Sequence, residues 1–550
     1  MVADSENNTK SKNFTVENNV YIGKVVPYTS NYKSFGEMIW DSIKNNGNKI
    51  AHLDARTEEV VTYAELQDKI VRCALWLQEH GIKAGDVVTV CTNNHLNSIV
   101  PCLAASYVNV IFNTWNEHMD LQTALHFLQL SDPKVIFCSE LSLDIIQSAI
   151  KKTNYDPIIV VFGNHPDAIP FANILNSYSN TEVANFRLAE LDDIKRTACI
   201  LHSSGTTGMP KGVELSNYTL IMIGADQNLN IVTAVTLWFS SLYWISGVLL
   251  NVKSITQSAK VIIYPEFDEE MTCKLIEKYE IVMLFLSTSM INRFLRAGYV
   301  KKYSLPSLRI IFGGGAILKP KSQEELRRLL PHVEILQAYG LTEVGGMAVM
   351  QNPNHKNGSC GTVASNVQVK IVDPKSGKVV GPNQSGEIWI RSKNIMNGYY
   401  KNPEATNSTV DKDGWLHSGD IGYFDSDGEL FIFDRIKELM KYRGHQISPG
   451  EIEAVLQLHP GVLEVAVVAV PHATDDDHPL AYVSKKPGFK VTEKELIDLV
   501  ASKMSDQYKL RAGVIFLDTF PYTGSGKIAR KDLRAMAKKL EKIVSATFPT

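Results

Sequence analysis

Short, continuous apolar runs recur along this chain up to about residue 430, and amphipathic windows separate them. Residues 87–90 (VVTV), 157–162 (PIIVVF) and 308–315 (LRIIFGGG) are three such runs, and residues 62–81 form one of the helical windows. A continuous apolar run of this length predicts a strand that is buried on both faces. Strands of this kind that alternate with helices are typical of the α/β class, with largely parallel sheets.

The pattern changes twice towards the C-terminus. From about residue 361, alternating segments such as GEIWIRS and ELFIFDR are joined by Gly/Asp turns, which predicts a β-rich section. Beyond Asp434, a helix followed by a strand indicates the start of a smaller α+β unit. We therefore predict an α/β fold with these parts: a disordered leader at 1–30, a large N-terminal domain at 31–433 with its β-rich part at about 361–433, a hinge at 434–437, and a small C-terminal domain at 438–550.

The composition excludes several classes of protein. The chain has 56 Lys and Arg against 59 Asp and Glu, a net charge of −3, and 44% of its residues are apolar. These values are ordinary for a globular protein, and a near-neutral charge gives no general footprint for nucleic acid. The seven cysteines form no CxxC pair, which argues against a zinc module or a disulfide framework. We expect single buried thiols and no nucleic-acid partner.

One long stretch, residues 227–252, contains no charged residue and is long enough to span a bilayer. It includes several polar residues, among them Asn230, Ser240 and Asn251, and no basic flank marks one side. We therefore predict a buried strand, loop and helix here, and no transmembrane segment.

A loop rich in Ser, Thr and Gly lies at residues 203–213. Such a loop can wrap a phosphate with backbone N–H groups and hydroxyls, because glycine lets the backbone approach closely. Lys211 adds a positive charge, but Pro210 precedes it and Gly212 follows it, so this is not a Walker A loop. The candidate phosphate-binding residues are Ser203, Ser204, Gly205, Thr206, Thr207, Gly208 and Lys211.

Three further strings carry chemistry. QAYGLTE (337–343) puts an aromatic, a hydroxyl and a carboxylate on one short segment, and GWLHSGD (414–420) ends in an acid that could hold a ribose diol. PYTGSGK (521–527) sets a lysine on a glycine-rich loop. Each string alone is compatible with a simple turn, so their combination and order carry the information.

In this order and with these gaps, the four strings resemble the adenylate-forming superfamily, which includes acyl- and aryl-CoA ligases, peptide synthetase adenylation domains and beetle-type luciferases. The resemblance covers roughly residues 30–540 and is nearest to the branch of insect luciferases and 4-coumarate-CoA ligases. It implies a small, mobile C-terminal domain that rotates about the hinge at 434–437 between two half-reactions.

The resemblance also assigns the groups that would bind ATP. The loop at 203–213 would hold the β- and γ-phosphates, Thr342 would contact the α-phosphate, and Glu343 would bind Mg²⁺, which prefers oxygen ligands. Tyr339 would stack on adenine, opposite a wall and acid path formed by Gly313, Gly314 and Gly315. Asp420 would accept hydrogen bonds from both ribose hydroxyls, with Arg435 as a second ribose or phosphate contact.

Two lysines would serve the two half-reactions. The resemblance gives Lys527 to the adenylation pose, where it would neutralise charge as the acid attacks the α-phosphorus. It gives Lys441 to the second pose, in which Gly444 would leave room for the pantetheine arm of CoA. His445 follows and is a weaker catalytic candidate.

The acid pocket departs from the beetle luciferases. Where they carry an arginine this chain has Ile223, and where they carry a His-His-Gly-Phe-Gly segment it reads YWISG (243–247). Both changes make the expected pocket more apolar. Its candidate lining residues are Tyr243, Trp244, Ile245, Ser246, Gly315 and Met347, although several of them could simply pack in the core.

The expected activity is that of an acid–thiol ligase for a hydrophobic acid, which uses ATP, Mg²⁺ and CoA. A luciferase that oxidises an adenylated luciferin with O₂ is the alternative, of a dipteran rather than a beetle type. A stand-alone enzyme that loads a carrier protein and an inactive binding relative are minor alternatives. We expect a cytoplasmic location, because no signal peptide or C-terminal Ser-Lys-Leu is present, and a monomer or weak homodimer.

Overall fold

The computed structural model describes residues 13–27, 31–203, 209–226, 230–443, 445–472, 474–522 and 528–547. Within these ranges, the strands are β1 Phe14–Glu17, β2 Val20–Gly23, β3 Ile50–Asp54, β4 Val60–Thr62, β5 Val87–Cys91, β6 Ile111–Thr114, β7 Val135–Ser139, β8 Ile158–Phe162, β9 Ile169–Pro170, β10 Thr197–Ser203, β11 Lys211–Ser216, β12 Val235–Trp238, β13 Lys260–Ile263, β14 Met283–Ser287, β15 Ile310–Gly314, β16 Glu334–Leu341, β17 Gly346–Met350, β18 Thr362–Val363, β19 Val367–Val372, β20 Gly386–Ser392, β21 Gly398–Tyr399, β22 Leu416–Phe424, β23 Leu430–Arg435, β24 Met440–Tyr442, β25 His445–Ile447, β26 Val462–His472, β27 Asp476–Lys485 and β28 Val514–Phe516.

The α-helices within the same ranges are α1 Phe35–Lys44, α2 Tyr63–Glu79, α3 Val100–Tyr107, α4 Leu121–Ser131, α5 Glu140–Ile150, α6 Phe171–Asn176, α7 Asn180–Asn185, α8 Asn217–Ala225, α9 Ile245–Thr256, α10 Glu269–Tyr279, α11 Thr288–Ala297, α12 Pro320–Leu329, α13 Pro403–Thr409, α14 Pro449–Leu456, α15 Glu493–Lys503 and α16 Arg530–Thr547. Single 3₁₀ turns lie at Tyr299–Lys301, Thr342–Val344, Ile436–Glu438 and Asp506–Tyr508.

Contacts between residues divide the chain into two units. The first contains residues 1–314, 318–369 and 389–417, and the second contains 315–317, 370–388 and 418–550. The β-rich section predicted from about residue 361 is present as strands β18 to β23. The domain boundary at 434–437 stays a prediction.

Two large sheets form the first unit. One has the strand order β21-β11-β10-β6-β5-β7-β8-β9, and the other has the order β18-β17-β16-β15-β14-β12-β13-β3-β4. Their central strands are parallel: β5 pairs with both β6 and β7, and β14 pairs with both β12 and β15. β5 is buried along its whole length, as a strand covered by helices on both faces should be. The α/β fold class predicted from the apolar runs is therefore confirmed.

Local sequence signals explain where the helices begin. Helix α2 starts at a capping box, in which the Thr62 side chain accepts from the Glu65 backbone N–H and the Glu65 carboxylate accepts from the Thr62 backbone N–H. Its apolar positions recur at helical spacing and are buried in the main core of the first unit. The helix predicted within residues 62–81 is therefore confirmed, as is the burial of all seven cysteines.

The uncharged stretch forms a strand, a loop and a helix, as predicted: β12 and most of α9 lie within residues 230–252. Residues 227–229 lie outside the described ranges. Among the described residues, no helix is long and apolar enough to cross a membrane.

The leader differs from its prediction. Strands β1 and β2 pair as an antiparallel hairpin, with Phe14 opposite Gly23. The side chains of Phe14 and Tyr21 are buried, and Gly23 approaches the Ala364 carbonyl so closely that a Cβ would lie 1.8 Å from its oxygen. The polar composition concealed these two buried aromatic residues, so the prediction of disorder is wrong for residues 14–23.

The second unit contains a five-stranded sheet. β24, β27 and β26 are antiparallel neighbours, β25 pairs with β24, and β28 pairs with β27 in parallel. The strand pair β26–β27 is the longest ladder of this sheet. One apolar cluster of this unit includes residues of α14 and α15 together with residues of β26 and β27, and a second cluster includes residues of α16 with residues of the same two strands.

Candidate active site

The base of the Ser/Thr/Gly loop is an antiparallel strand pair in the first unit. β10 ends at Ser203 and β11 begins at Lys211, and these two residues are the last pair of the ladder. Next to the ladder, the His126 Nε2 atom lies 2.7 Å from the Pro210 carbonyl oxygen. Ser204, Gly205, Thr206, Thr207 and Gly208 lie outside the described residues. The sheet therefore fixes where the loop leaves and where it returns.

Thr342 and Glu343 lie at the tip of a second hairpin, formed by β16, the 3₁₀ turn Thr342–Val344 and β17. Gly340 permits the two strands to approach, because a Cβ there would lie 2.1 Å from the Gly346 carbonyl oxygen. Gly345 ends the turn with a φ of +72°, a conformation that favours glycine. The turn is held from outside by the Met396 backbone N–H, which donates to the Glu343 carbonyl oxygen at 2.8 Å.

The Tyr399 side chain contacts both of these hairpins. Its hydroxyl donates to the Glu343 Oε1 atom at 2.9 Å, and the Lys211 Nζ atom lies 4.5 Å from the centre of its ring. The position follows from sheet register, because β21 pairs with β11 and places Tyr399 opposite Val213. Burial and the negative charge of Glu343 raise the pKa of Tyr399, while hydrogen bonds with Thr409 and Ser203 oppose that shift. The phenol therefore stays a neutral donor at physiological pH.

The Glu343 carboxylate suits a hard divalent cation. It is half-buried, its Oε1 atom already accepts from Tyr399, and no described residue donates to its Oε2 atom. Mg²⁺ is commonly held by one or two carboxylates together with substrate phosphates. The residues present therefore fit the Mg²⁺ that the sequence resemblance implies.

Gly313 and Gly314 end strand β15, directly beside β16. Gly313 pairs with Gln337, two residues before Tyr339, so the glycine run and the aromatic side chain lie on adjacent strands. A Cβ on Gly314 would come within 3.3 Å of the Phe285 ring. Gly315 follows with a φ of +86°. Tyr339 is partly buried.

Asp420 and Arg435 form an ion pair in the second unit. Strands β22 and β23 place them directly opposite each other, and the Arg435 Nε atom donates to the Asp420 Oδ1 atom at 3.1 Å. Asp420 is buried, whereas about two fifths of the Arg435 side chain is exposed. The two residues predicted to contact the ribose are therefore neighbours.

A cavity of about 130 Å³ lies in the first unit beside the Thr342–Val344 turn. Its lining combines apolar side chains, among them Ile223, Leu249, Val344 and Met347, with polar residues such as Asn366, Ser392 and Asn394. Lys253 also lines it: this side chain is almost wholly buried and donates from Nζ to the Asp226 carbonyl oxygen. Burial lowers the pKa of Lys253 to about 8.

The other predicted pocket residues have different neighbours. Tyr243 is buried among aromatic rings, with its centroid 5.9 Å from His202 and 4.7 Å from Trp244. Ile245 and Ser246 begin helix α9, and the Ser246 hydroxyl donates to the Ser240 hydroxyl at 3.1 Å. Of the predicted lining residues, the cavity beside the turn includes Met347.

Comparison with known sequences assigns the family. Residues 39–400 match the AMP-binding enzyme family, and residues 451–527 match the AMP-binding enzyme C-terminal domain. The chain belongs to the AMP-binding enzyme family. The predicted membership of the adenylate-forming superfamily is therefore confirmed.

The relatives of this chain include both a CoA ligase and a luciferin monooxygenase. The chain is 33% identical to 4-coumarate–CoA ligase 4 of Arabidopsis thaliana, over 90% of this chain and 88% of that protein. It is 32% identical to luciferin 4-monooxygenase of Photinus pyralis, over 90% of this chain and 92% of that protein.

Solved structures support the fold. ATP-bound MatB from Rhodopseudomonas palustris has a TM-score of 0.85 at 24% identity and covers 92% of this chain and 99% of its own. The luciferase-like enzyme from the nonluminescent mealworm Zophobas morio has a TM-score of 0.71 at 29% identity, over 76% of this chain and 99% of its own.

In this AMP-binding family enzyme, Lys441 lies on strand β24 of the second unit. Its side chain is largely exposed, its Nζ atom lies 3.6 Å from the Asp476 Oδ1 atom, and its backbone N–H donates to Asp477 at 2.9 Å. His445 begins β25 and is exposed. Gly444 and Lys527 lie outside the described residues, so their roles stay predictions.

The predicted hinge begins at Asp434, which is firmly held. Its Oδ2 atom accepts from the Ser448 hydroxyl at 2.8 Å and from the Gly450 backbone N–H at 3.0 Å. Ser448 also caps helix α14. Asp434 therefore fixes the end of β23 to the start of the first helix that follows it.

Sequence reasoning missed two residues of the candidate site. Tyr399 is followed by a second tyrosine in a plain GYY run, and nothing in that run points to Glu343 or Lys211. Lys253 had a visible signal, because it is the first charged residue after the uncharged stretch 227–252. A lysine that ends such a stretch on a buried helix is a candidate for an unusual environment.

Proposed function

We propose that this enzyme activates a hydrophobic carboxylic acid with Mg-ATP and transfers the acyl group to CoA. The observation that carries the proposal is the arrangement around Tyr399, which lies against both the phosphate-loop lysine, Lys211, and the candidate Mg²⁺ ligand, Glu343. The positive charge of Lys211 suits a phosphoryl group, and the negative charge of Glu343 suits the metal ion bound to it.

In the first step, a carboxylate oxygen of the acid attacks the α-phosphorus of ATP, and pyrophosphate leaves with the electron pair of the broken P–O bond. Lys211 and the loop before it would stabilise the charge on the leaving pyrophosphate. Thr342 would donate to the α-phosphate, and Glu343 would hold Mg²⁺, which neutralises phosphate charge when bound. Lys527 would act on the attacking carboxylate. No covalent protein intermediate is required.

In the second step, the CoA thiolate attacks the acyl carbon and AMP leaves, since a mixed anhydride is a reactive acyl donor. We assign Lys441 and Gly444 to this step by their sequence resemblance. The Lys441 side chain is largely exposed, which suits a group that would act only in the second pose of the small C-terminal domain. Asp420 and Arg435 would hold the ribose through both steps.

The proposed preference for a hydrophobic acid rests on the cavity beside the Thr342–Val344 turn. Ile223, Leu249 and Met347 supply the apolar part of its lining, and Lys253 and Asn366 are among its polar residues. Burial of an apolar acid chain there would contribute about 25 cal/mol for each square ångström removed from water.

A luciferase is the second candidate function, and the similarity to the Photinus luciferin monooxygenase favours it. The same acyl-adenylate would then react with O₂. The apolar residue Ile223 is compatible with a luciferin that lacks the polar contacts of the beetle type.

The test is direct. Purified protein is incubated with Mg-ATP, CoA and a pooled panel of fatty and aryl acids, and new acyl-CoA species are identified by mass spectrometry. Lys211→Ala serves as the matched inactive control. A thioester from one class of acid supports the ligase. Pyrophosphate release without any thioester, followed by photon emission with tissue extract, supports the luciferase, and no ATP turnover with any acid or extract contradicts both.

A further inference from the structure

A cluster of two imidazoles and one carboxylate lies at the turn between β26 and β27 of the second unit, and none of its three residues is assigned above to ATP or the acid. The Asp475 Oδ2 atom lies 3.0 Å from the His478 Nε2 atom and 3.5 Å from the His472 Nδ1 atom. The three possible ligand atoms all lie within 4.8 Å of one another. The two imidazole rings are stacked, with their centroids 3.9 Å apart.

The hairpin register explains the convergence. His472 pairs with Asp476 as the last pair of the ladder, so the chain reverses within a few residues and returns past His478. Asp476 takes a φ of +68°, a sharp turn for a residue other than glycine. The spacing of three residues between successive ligands therefore places them on one side of a tight turn.

The neighbouring Arg443 side chain orients the Asp475 carboxylate. The Arg443 Nε atom donates to Asp475 Oδ1 at 2.6 Å, and the Arg443 backbone N–H donates to the Asp475 carbonyl oxygen at 3.1 Å. Both contacts leave Oδ2 directed at the imidazoles. Partners of this kind orient a ligand without touching the metal.

We propose that His472, Asp475 and His478 form a binding site for a divalent transition-metal ion of the Zn²⁺ and Co²⁺ class. Two imidazole nitrogens and one carboxylate oxygen are a donor set that these ions prefer, whereas Mg²⁺ prefers oxygen ligands alone. His472 is about two fifths exposed, so water reaches the remaining coordination positions. The proposal is independent of the reaction proposed above.

The site also adjoins Lys441. The next two residues of the turn, Asp476 and Asp477, contact the Lys441 side chain and backbone, respectively. A metal ion would therefore fix the same turn that holds this lysine.

The experiment titrates the full-length protein with Co²⁺ alone, without ATP or Mg²⁺, and follows the visible d–d absorption that nitrogen ligands produce. Zn²⁺ is then added as a competitor. His472→Ala and His478→Ala test the site, and His459→Ala is the matched control, because His459 belongs to the same unit but its Nδ1 atom accepts from the Gly461 backbone N–H. Glu343→Gln controls for cobalt binding at the candidate Mg²⁺ site.

We expect one Co²⁺ per chain, displaced by Zn²⁺, with a dissociation constant raised at least about tenfold in both site variants and unchanged in both controls. The exposed His472 keeps the test valid even if His478→Ala folds poorly, which circular dichroism will show. Absence of saturable binding in the wild type, or equal binding in His472→Ala and His459→Ala, overturns the proposal.

Discussion

Replacement of Tyr399 by Phe tests whether the tyrosine hydroxyl orients the candidate Mg²⁺ ligand. The substitution removes the 2.9 Å hydrogen bond to Glu343 and keeps the aromatic ring that lies beside Lys211. A hydrogen bond to a charged group contributes about 1.5–3 kcal/mol, which corresponds to about tenfold to a hundredfold in a rate or binding constant. Because Glu343 is half-buried and water can partly replace the hydroxyl, we expect the lower end of that range.

The assay measures acid-dependent pyrophosphate release as a function of Mg²⁺ concentration. We expect the apparent Mg²⁺ requirement of Tyr399→Phe to rise about tenfold. Because burial and Glu343 raise the pKa of Tyr399, the hydroxyl keeps its proton, and the defect should be the same from pH 6 to pH 9.

Tyr400→Phe is the matched control, because Tyr400 lies beside it in sequence and contacts the Gly212 carbonyl through its backbone N–H rather than its hydroxyl. Wild-type Mg²⁺ dependence in Tyr399→Phe, or an equal defect in Tyr400→Phe, would refute the reasoning.

Four further substitutions test other candidate residues. Lys527→Ala should raise the activation free energy of adenylate formation by about 3–4 kcal/mol and spare thioester formation from supplied acyl-adenylate. Lys441→Ala should impair thioester formation and spare adenylate formation. Equal losses in both steps would contradict the assignment. Asp420→Asn should raise the KM for ATP about tenfold, because the ribose and Arg435 both lose a charged partner. Steady-state kinetics check this prediction, and the KM for the acid should stay unchanged. Lys253→Met should raise thermal stability at pH 7, where the buried ammonium costs on the order of 3 kcal/mol. Since the pKa of Lys253 falls from 10.5 to about 8, the wild type should regain stability relative to the variant as the pH rises from about 8 to 10.5, and a pH-independent difference in melting temperature would argue against it.

The sequence predicted the candidate site best where the candidate residues lie in the same short segment as the residues that set the local backbone. Thr342 and Glu343 belong to the string at 337–343 together with Gly340, and the structure shows that Gly340 and the nearby Gly345 are required by the tight hairpin that presents this candidate pair. The loop at 203–213 was predicted from its Ser, Thr and Gly content, and the structure describes its two ends, Ser203 and Lys211, as the last pair of a strand ladder. In these segments a single constraint fixes both the fold and the site.

Tyr399 shows why other parts of the site were not predictable. It meets Lys211 only because β21 pairs with β11, two strands separated by almost two hundred residues of sequence. Long-range register depends on the packing of whole sheets, which no local pattern encodes. Lys253 is a different case: lysine is almost never fully buried, so its residue type alone predicts exposure, and only its position at the end of the uncharged stretch pointed to burial.

Two glycine-rich loops of this enzyme share one design. The first is closed by the pair Ser203–Lys211 at its base, and the loop at 523–527 is closed by an antiparallel bridge between Tyr522 and Ile528. In each case backbone pairing at the base fixes the directions in which the chain enters and leaves. The Ser, Thr and Gly residues that the sequence places in these segments suit contact with a ligand, because glycine allows close backbone approach and hydroxyls donate hydrogen bonds. It follows that substitutions within either loop should alter ATP kinetics with little change in thermal stability, whereas the paired residues at the base contribute to both.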